Sequence, residues 1–293
     1  MDFSRTQLYG LRDINELKSL LGIESSMYFT PNCYVKDSKR LIESVPDNTK
    51  GVYSTIRKLL NQLEIPSYYH PVKKRSNTSA VHLHTKNSFF LELDIKGFFP
   101  NTSRDSIYRF FKNDLCQSPC VAKYLTDITT VNIEKTKASR KVKTFIEEKG
   151  YRKNHLITGA PCSSVLSFLV NERMFNAIAE AGRKKGMSLS VYVDDITFSS
   201  KQIIPFVFEQ KIIRILHRNG YEYSKGKTFR NKKKGKVKIL GVFVSNGKMT
   251  PQNRINKELK ELSRDKNASV RDLKRKEGLE NYTKQIFKAN AKQ

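Results

Sequence analysis

The chain has 293 residues, 38% of them hydrophobic, with 13 Tyr and 17 Phe, enough apolar side chain for a substantial core and too much for a disordered tail. Lys and Arg number 55 against 28 Asp and Glu, a formal charge of +27, and such a surplus calls for a polyanion, either nucleic acid or an acidic membrane surface. No apolar run approaches a transmembrane span, and Met1 opens on a polar stretch without a signal-peptide core, so a soluble, cytoplasmic protein is expected. The four cysteines, Cys33, Cys116, Cys120 and Cys162, lack C-x-x-C spacing and a nearby histidine, and read as reduced, structural thiols.

Hydrophobic spacing predicts a helix over residues 5–22, with Leu8, Leu11, Ile14, Leu17, Leu20 and Leu21 on one face and Gly22 at its end. Residues 29–46 read as two strands around a polar turn at Lys36-Asp37-Ser38, and 49–65 as a helix on Val52, Ile56, Leu59, Leu60 and Leu63. From Val81 the period changes to two, which suits a buried strand ending at Asp94. A helix over 102–115 has Thr102 or Ser103 as its N-cap. The basic stretch 133–154 reads as an insertion or flexible surface element. Residues 161–186 are predicted to form the longest helix, with Pro161 in its first turn and Gly186 at its end. Next come a strand, tight turn and strand over "SVYVDDITFSS", a helix over 204–220 stopped by Gly220, and a hairpin over 236–250 about Asn246-Gly247. The highly charged remainder, 251–293, has helical spacing. This order is α+β in character, with an antiparallel sheet and helices packed on one side.

Asp194 and Asp195 sit together inside an apolar, β-prone run, where like charges repel and are costly to desolvate. A solvated turn would explain them, but Val191, Val193, Ile196 and Phe198 make both arms strand-like and hold the carboxylates rigidly. Asp94 closes another strongly apolar strand and is followed by Phe98-Phe99-Pro100. Acids meeting at such strand ends form a hard-oxygen site suited to Mg²⁺, which leaves positions for water and phosphate.

"LDIKGFFPN", "TGAPCSSVLSFLVNERM", "YVDD" and "SKGKT…KILGVFVS", in that order, resemble the palm motifs of reverse transcriptases, and in particular the bacterial retron and phage-defence group. "YVKDSKRLIESVP" resembles that group's fingers motif, and the likeness runs from about Tyr34 to Val244. It implies a right-hand polymerase fold of fingers, palm and thumb, with an antiparallel palm sheet packed on helices. Residues 1–80 would be N-terminal helices and fingers, 81–250 the palm with an inserted segment at about 115–157, and 251–293 a short helical thumb.

The resemblance also implies roles. Asp94, Asp194 and Asp195 become the catalytic, metal-binding acids, with the Ile95 backbone carbonyl as a further ligand, for two Mg²⁺ ions or Mn²⁺. Phe99 becomes the gate against a ribose 2′-OH, although an FFP run also suits a core. Lys39 and Arg40 would hold the incoming triphosphate, with Arg40 the better bidentate partner. Lys227, with Lys225 as its rival, would serve the departing pyrophosphate. Gly159, Ala160 and Pro161 would lie against the nascent base pair, and the hairpin 237–244 would grip the primer. Thr158 replaces the family's usual Gln, "AVHLH" keeps His84 without the retron group's Asn-Ala, and Ile239-Leu240-Gly241 replaces its Val-Thr-Gly. Gly278 and Tyr282 match a thumb segment.

The implied activity is RNA-directed DNA polymerisation in a retron-like antiviral defence system. Its partners would be a structured non-coding template RNA, the RNA/DNA hybrid and dNTPs, with an effector protein or a second copy of the chain as further candidates and no membrane. Non-templated or protein-primed DNA synthesis, and a catalytically silent RNA-binding palm, are the alternatives.

Overall fold

The computed structural model describes residues 1–231, 233–264 and 269–291. Numbered along the chain, the helices are α1 (Ile14–Leu21), α2 (Lys50–Leu60), α3 (Asn77–His82), α4 (Phe98–Asn101), α5 (Arg104–Arg109), α6 (Pro119–Thr129), α7 (Arg140–Lys149), α8 (Ser163–Val170), α9 (Glu172–Arg183), α10 (Phe206–Arg218), α11 (Asn253–Arg264) and α12 (Val270–Asn290). The strands are β1 (Asn32–Lys36), β2 (Arg40–Ser44), β3 (Phe89–Asp94), β4 (Thr130–Asn132), β5 (Asn154–Leu156), β6 (Ser188–Tyr192), β7 (Asp195–Ser200), β8 (Phe229–Arg230), β9 (Val237–Ile239), β10 (Val242–Ser245) and β11 (Lys248–Pro251). Two units result, each assembled from three stretches. One takes Met1–Pro66, Lys96–Phe175 and Asn219–Tyr221; the other takes Ser67–Ile95, Asn176–Arg218 and Glu222–Gln293.

The first unit is mainly helical. The helix expected over 5–22 is confined to α1, because Asp13 caps the N–H groups of Asn15 and Glu16 and so starts the helix there. Upstream, Gly10 takes a left-handed φ of 72°, which no continuing helix tolerates. β1 and β2 form the predicted hairpin, with Lys36 opposite Arg40. α2 buries Val52, Tyr53, Ile56, Leu59 and Leu60, and the Tyr53 hydroxyl donates to the Ile128 carbonyl of α6 at 2.7 Å.

The basic stretch 133–154 is not the loose element its charge suggested. α7, capped by Ser139, buries Val142, Phe145 and Ile146 and packs on β1, while β4 and β5 pair at the stretch's ends. The long helix expected over 161–186 divides into α8 and α9 at Asn171, whose side-chain amide donates to the Ser167 carbonyl at 2.9 Å. This local bond competes with the backbone ladder.

In the second unit β3 lies between β7 and β8 in an antiparallel sheet of order β6-β7-β3-β8. The strand expected from Val81 begins only at Phe89. A Ser76–Ser79 capping box opens α3 instead, with Thr78, Ala80 and Val81 buried. His84, fully buried, lies between the hydroxyls of Ser190 and Ser199 at 2.8 and 2.7 Å. The apparent alternation over 81–88 is thus a helix end and turn.

The predicted 236–250 hairpin becomes a three-stranded sheet, β11-β10-β9. Asn246 and Gly247 both have positive φ, as the hairpin turn demands, and a second tight turn at Leu240-Gly241 adds the third strand. Val237, Ile239, Val242, Val244 and Met249 of this sheet share a core with Val81, Phe90 and Ile286, against which Tyr282 and Ala289 of α12 also pack. The Asn290 amide brackets Met249, accepting from its N–H at 2.9 Å and donating to its carbonyl at 2.8 Å. The longest helix is therefore α12, within the charged stretch whose residues 265–268 and 292–293 lie outside the described residues. Among the described residues no helix is long and apolar enough to cross a membrane.

Candidate active site

β3 and β7 run antiparallel in the register Leu93↔Ile196, Asp94↔Asp195, so two of the three predicted acids are direct cross-strand partners. Asp194 immediately precedes this pair. Tyr192↔Asp195 closes the β6–β7 hairpin, leaving Val193 and Asp194 as its two loop residues. The acids are also pinned by backbone bonds: the Ile95 N–H donates to the Asp194 carbonyl at 2.9 Å, and the Ser224 N–H to the Asp94 carbonyl at 2.8 Å. Val193 sits at φ 60°, a left-handed conformation that a β-branched residue adopts only under strain. A hairpin whose first loop residue alone has positive φ, as Val193 does here, ordinarily places Gly there.

Lys227, from a short 3₁₀ turn at Lys225–Lys227, reaches both carboxylate oxygens of Asp94 at 2.8 and 3.0 Å. Burial alone would lower its pKa, but the Asp94 bond and the charges of Asp94, Asp194 and Asp195 outweigh that and raise it. Lys225 and Lys227 are both exposed, and of the two it is Lys227 that bonds Asp94. Asp195 is pushed up to about 7, first by burial and then by Asp194, Asp94 and Glu92, with Lys227 opposing.

Glu92 was not anticipated. It lies two residues before Asp94 on β3, and strand alternation puts both on one face; that spacing was the available signal. Burial pushes it up to about 7 as well, against the Leu240 N–H, which donates to its carboxylate.

This donor set fits a hard divalent cation in its chemistry. It comprises oxygen ligands only, and it crowds like charges that cost free energy until a cation compensates them. Among the described residues no three carboxylate, His or Cys groups converge on a common ion position as they stand; the Lys227 ammonium neutralises Asp94 instead. An entering ion would exchange with that ammonium.

The remaining predicted residues belong to the first unit. Lys39 lies in the loop of the β1–β2 hairpin and Arg40 opens β2, both exposed. Phe99 is half-buried in α4, its ring centroid 5.9 Å from that of Phe98. Gly159 is exposed, Ala160 buried and Pro161 half-buried ahead of α8. A Cβ on Gly159 would stand 2.1 Å from the Glu43 carbonyl oxygen, so close packing on β2 by itself demands glycine there.

Residues 30–244 match the family described as "Reverse transcriptase (RNA-dependent DNA polymerase)". Retron Se72 reverse transcriptase of Salmonella heidelberg (strain 579083-10) is 26% identical over 268 residues, a match that takes in 82% of this chain and 64% of that protein. The chain thus spans a little under two-thirds of that relative's length. Among solved structures, a foamy viral protease-reverse transcriptase in complex with RNA/DNA hybrid aligns at TM-score 0.47 and 14% identity, covering 95% of this chain and 32% of the viral one. A second form of that viral protein, in complex with ds DNA, aligns at TM-score 0.47 and 15% identity, covering 95% and 42%.

Proposed function

Since the chain belongs to the reverse transcriptase family, a family that generally uses divalent metal ions, we propose that it is an RNA-directed DNA polymerase that copies a structured non-coding RNA into DNA within a retron-like antiviral system. The observation that carries this reading is the Asp94↔Asp195 pairing, with Asp194 beside it, inside the family-matched segment. The similarity to a retron enzyme supports the retron-like part.

In this reading Asp94, Asp194 and Asp195, with the Ile95 carbonyl, hold two Mg²⁺ ions, Mn²⁺ serving as a substitute. The chemistry supplied by the bound ions is activation of the primer 3′-hydroxyl and stabilisation of the leaving pyrophosphate. Lys227, released from Asp94, has an ammonium proton to give to that pyrophosphate. Lys39 and Arg40 bind triphosphate oxygens, Phe99 excludes a 2′-hydroxyl, and Gly159-Ala160-Pro161 lies against the base pair being formed. The 237–244 segment grips the primer. By the same proposal, residues 1–80 are fingers, 81–250 palm with an insertion at about 115–157, and 251–293 thumb. Template RNA, RNA/DNA hybrid and dNTPs are the partners, in a bacterial cytoplasm.

The test is incorporation of labelled dNTPs on a primed RNA template with Mg²⁺. Asp94→Ala and Asp194→Ala should each lower kcat by about 10³-fold or more, as expected when a transition-state electrostatic group is lost, with the thermal transition retained. Full product in the absence of template would instead favour non-templated synthesis, and biological activity unchanged in Asp194→Ala would favour a silent RNA-binding role.

A further inference from the structure

Glu43 and His155 are both fully buried, far from the acid cluster in sequence, and the chemistry above uses neither. Glu43 faces inward from β2, three residues after Arg40. Its Oε1 meets His155 Nε2 at 2.8 Å, and its Oε2 accepts from the Thr158 N–H at 2.8 Å. His155, on β5, turns its other ring nitrogen to the Arg152 carbonyl. A carbonyl only accepts, so Nδ1 is the donor in that bond. Every oxygen of a carboxylate removed from water is thus engaged, the condition under which such burial is tolerated. Next to Thr158, Gly159 packs so closely on the Glu43 carbonyl that even a methyl group would collide with it at 2.1 Å.

The two segments joined by this bridge are those assigned to the incoming nucleotide: the β1–β2 hairpin bearing Lys39 and Arg40, and the Thr158–Pro161 stretch. Within the first unit nothing else described joins β2 to this stretch through a fully buried ionisable pair. We propose that Glu43 and His155 are positioning residues for the deoxynucleoside triphosphate, fixing the triphosphate-binding cations at a set spacing from the segment that lies against the base. This inference rests on the polymerase reading and adds to it a determinant of substrate affinity. The pair touches no substrate; it acts through the segments it holds.

Two measurements decide it: steady-state incorporation against dNTP concentration, and hydrogen exchange at the Thr158 amide. Glu43→Leu is close in size and removes both bonds. It should raise KM for dNTP about ten-fold or more, since small misplacements of binding groups are costly, while kcat stays within about three-fold and the Thr158 amide loses protection. Glu43→Gln should restore both readouts, because its carbonyl oxygen accepts from Thr158 and its NH₂ can donate to an unprotonated His155 Nε2. If Glu43→Leu does not fold, His155→Gln carries the test and should also raise KM selectively. An unchanged KM in the folded variants, or unchanged Thr158 protection in Glu43→Leu, overturns the proposal. So does a parallel loss of kcat and thermal stability that Glu43→Gln fails to rescue. Absence of incorporation by the unaltered protein would refute the polymerase reading instead, and the exchange comparison would still decide whether the pair holds the segment.

Discussion

A carboxylate half withdrawn from water beside three others holds its proton to higher pH, and Asp195 is in that position, at about 7. Its unfolded value is ordinary, near 4. The folded value is therefore the raised one, so its stabilising contribution is complete below about pH 4 and is lost as pH climbs through about 7. Glu92, also at about 7, moves in the same direction, and the two should titrate as a linked set. Metal-free protein should lose thermal stability between pH 5.5 and 8 by this route, and Asp195→Asn should flatten the dependence. Mg²⁺ or Mn²⁺ should raise Tm more at pH 8 than at pH 5.5, because binding must displace a proton at the lower pH. A larger metal-induced rise at pH 5.5 would contradict the assignment. Phe99 can be read separately: Phe99→Ala should reduce discrimination against ribonucleotides by about ten-fold or more, measured as the ratio of kcat/KM for the two sugars. Unchanged discrimination would leave Phe99 a packing residue beside Phe98.

Among the elements, the β6–β7 hairpin concentrates strain and charge in two residues. Holding Val193 at φ 60° costs roughly 1–2 kcal/mol for an L-residue, more than the roughly 0.5–1 kcal/mol that glycine's extra freedom costs in regular structure. Val193→Gly should therefore keep or raise Tm while lowering kcat, because the acids would be less tightly aimed. A Tm several degrees lower would show that the valine side chain, not its backbone, matters there. The hairpins β1–β2 and β6–β7 and the Asn246-Gly247 turn are legible in the sequence, because alternation and turn chemistry are local signals. α3 is not, because His82 and His84 mimic the polar half of a strand while a capping box upstream decides the matter. The three aspartates could be read as strand-end acids, and Glu92 could have been from its spacing to Asp94. The Glu43–His155 bridge could not, since its partners lie 112 residues apart and only packing reveals that both are buried.

At the scale of the whole molecule, +27 is a field rather than a set of contacts. Phosphate contacts position a duplex without reading its bases, and their counterion release makes affinity fall steeply with salt. Binding of an RNA/DNA hybrid should weaken about 10³-fold or more between 50 and 200 mM salt if six or more phosphates are neutralised, as titration by fluorescence anisotropy would register. A shallow dependence would assign the surplus charge elsewhere. α7 exposes Lys141, Lys143 and Lys149 while burying Val142, Phe145 and Ile146; should those lysines contact the duplex, reversing their charge would weaken binding without unfolding the helix.

The chain passes between its two units five times, after Pro66, Ile95, Phe175, Arg218 and Tyr221. No single cut releases either half whole, and a fragment ending at any one of these points removes stretches that one unit or both need. Exchange of parts with a relative would have to splice at all five places at once. Such a protein can diversify readily by substitution and by loop insertion, and only with difficulty by shuffling its halves.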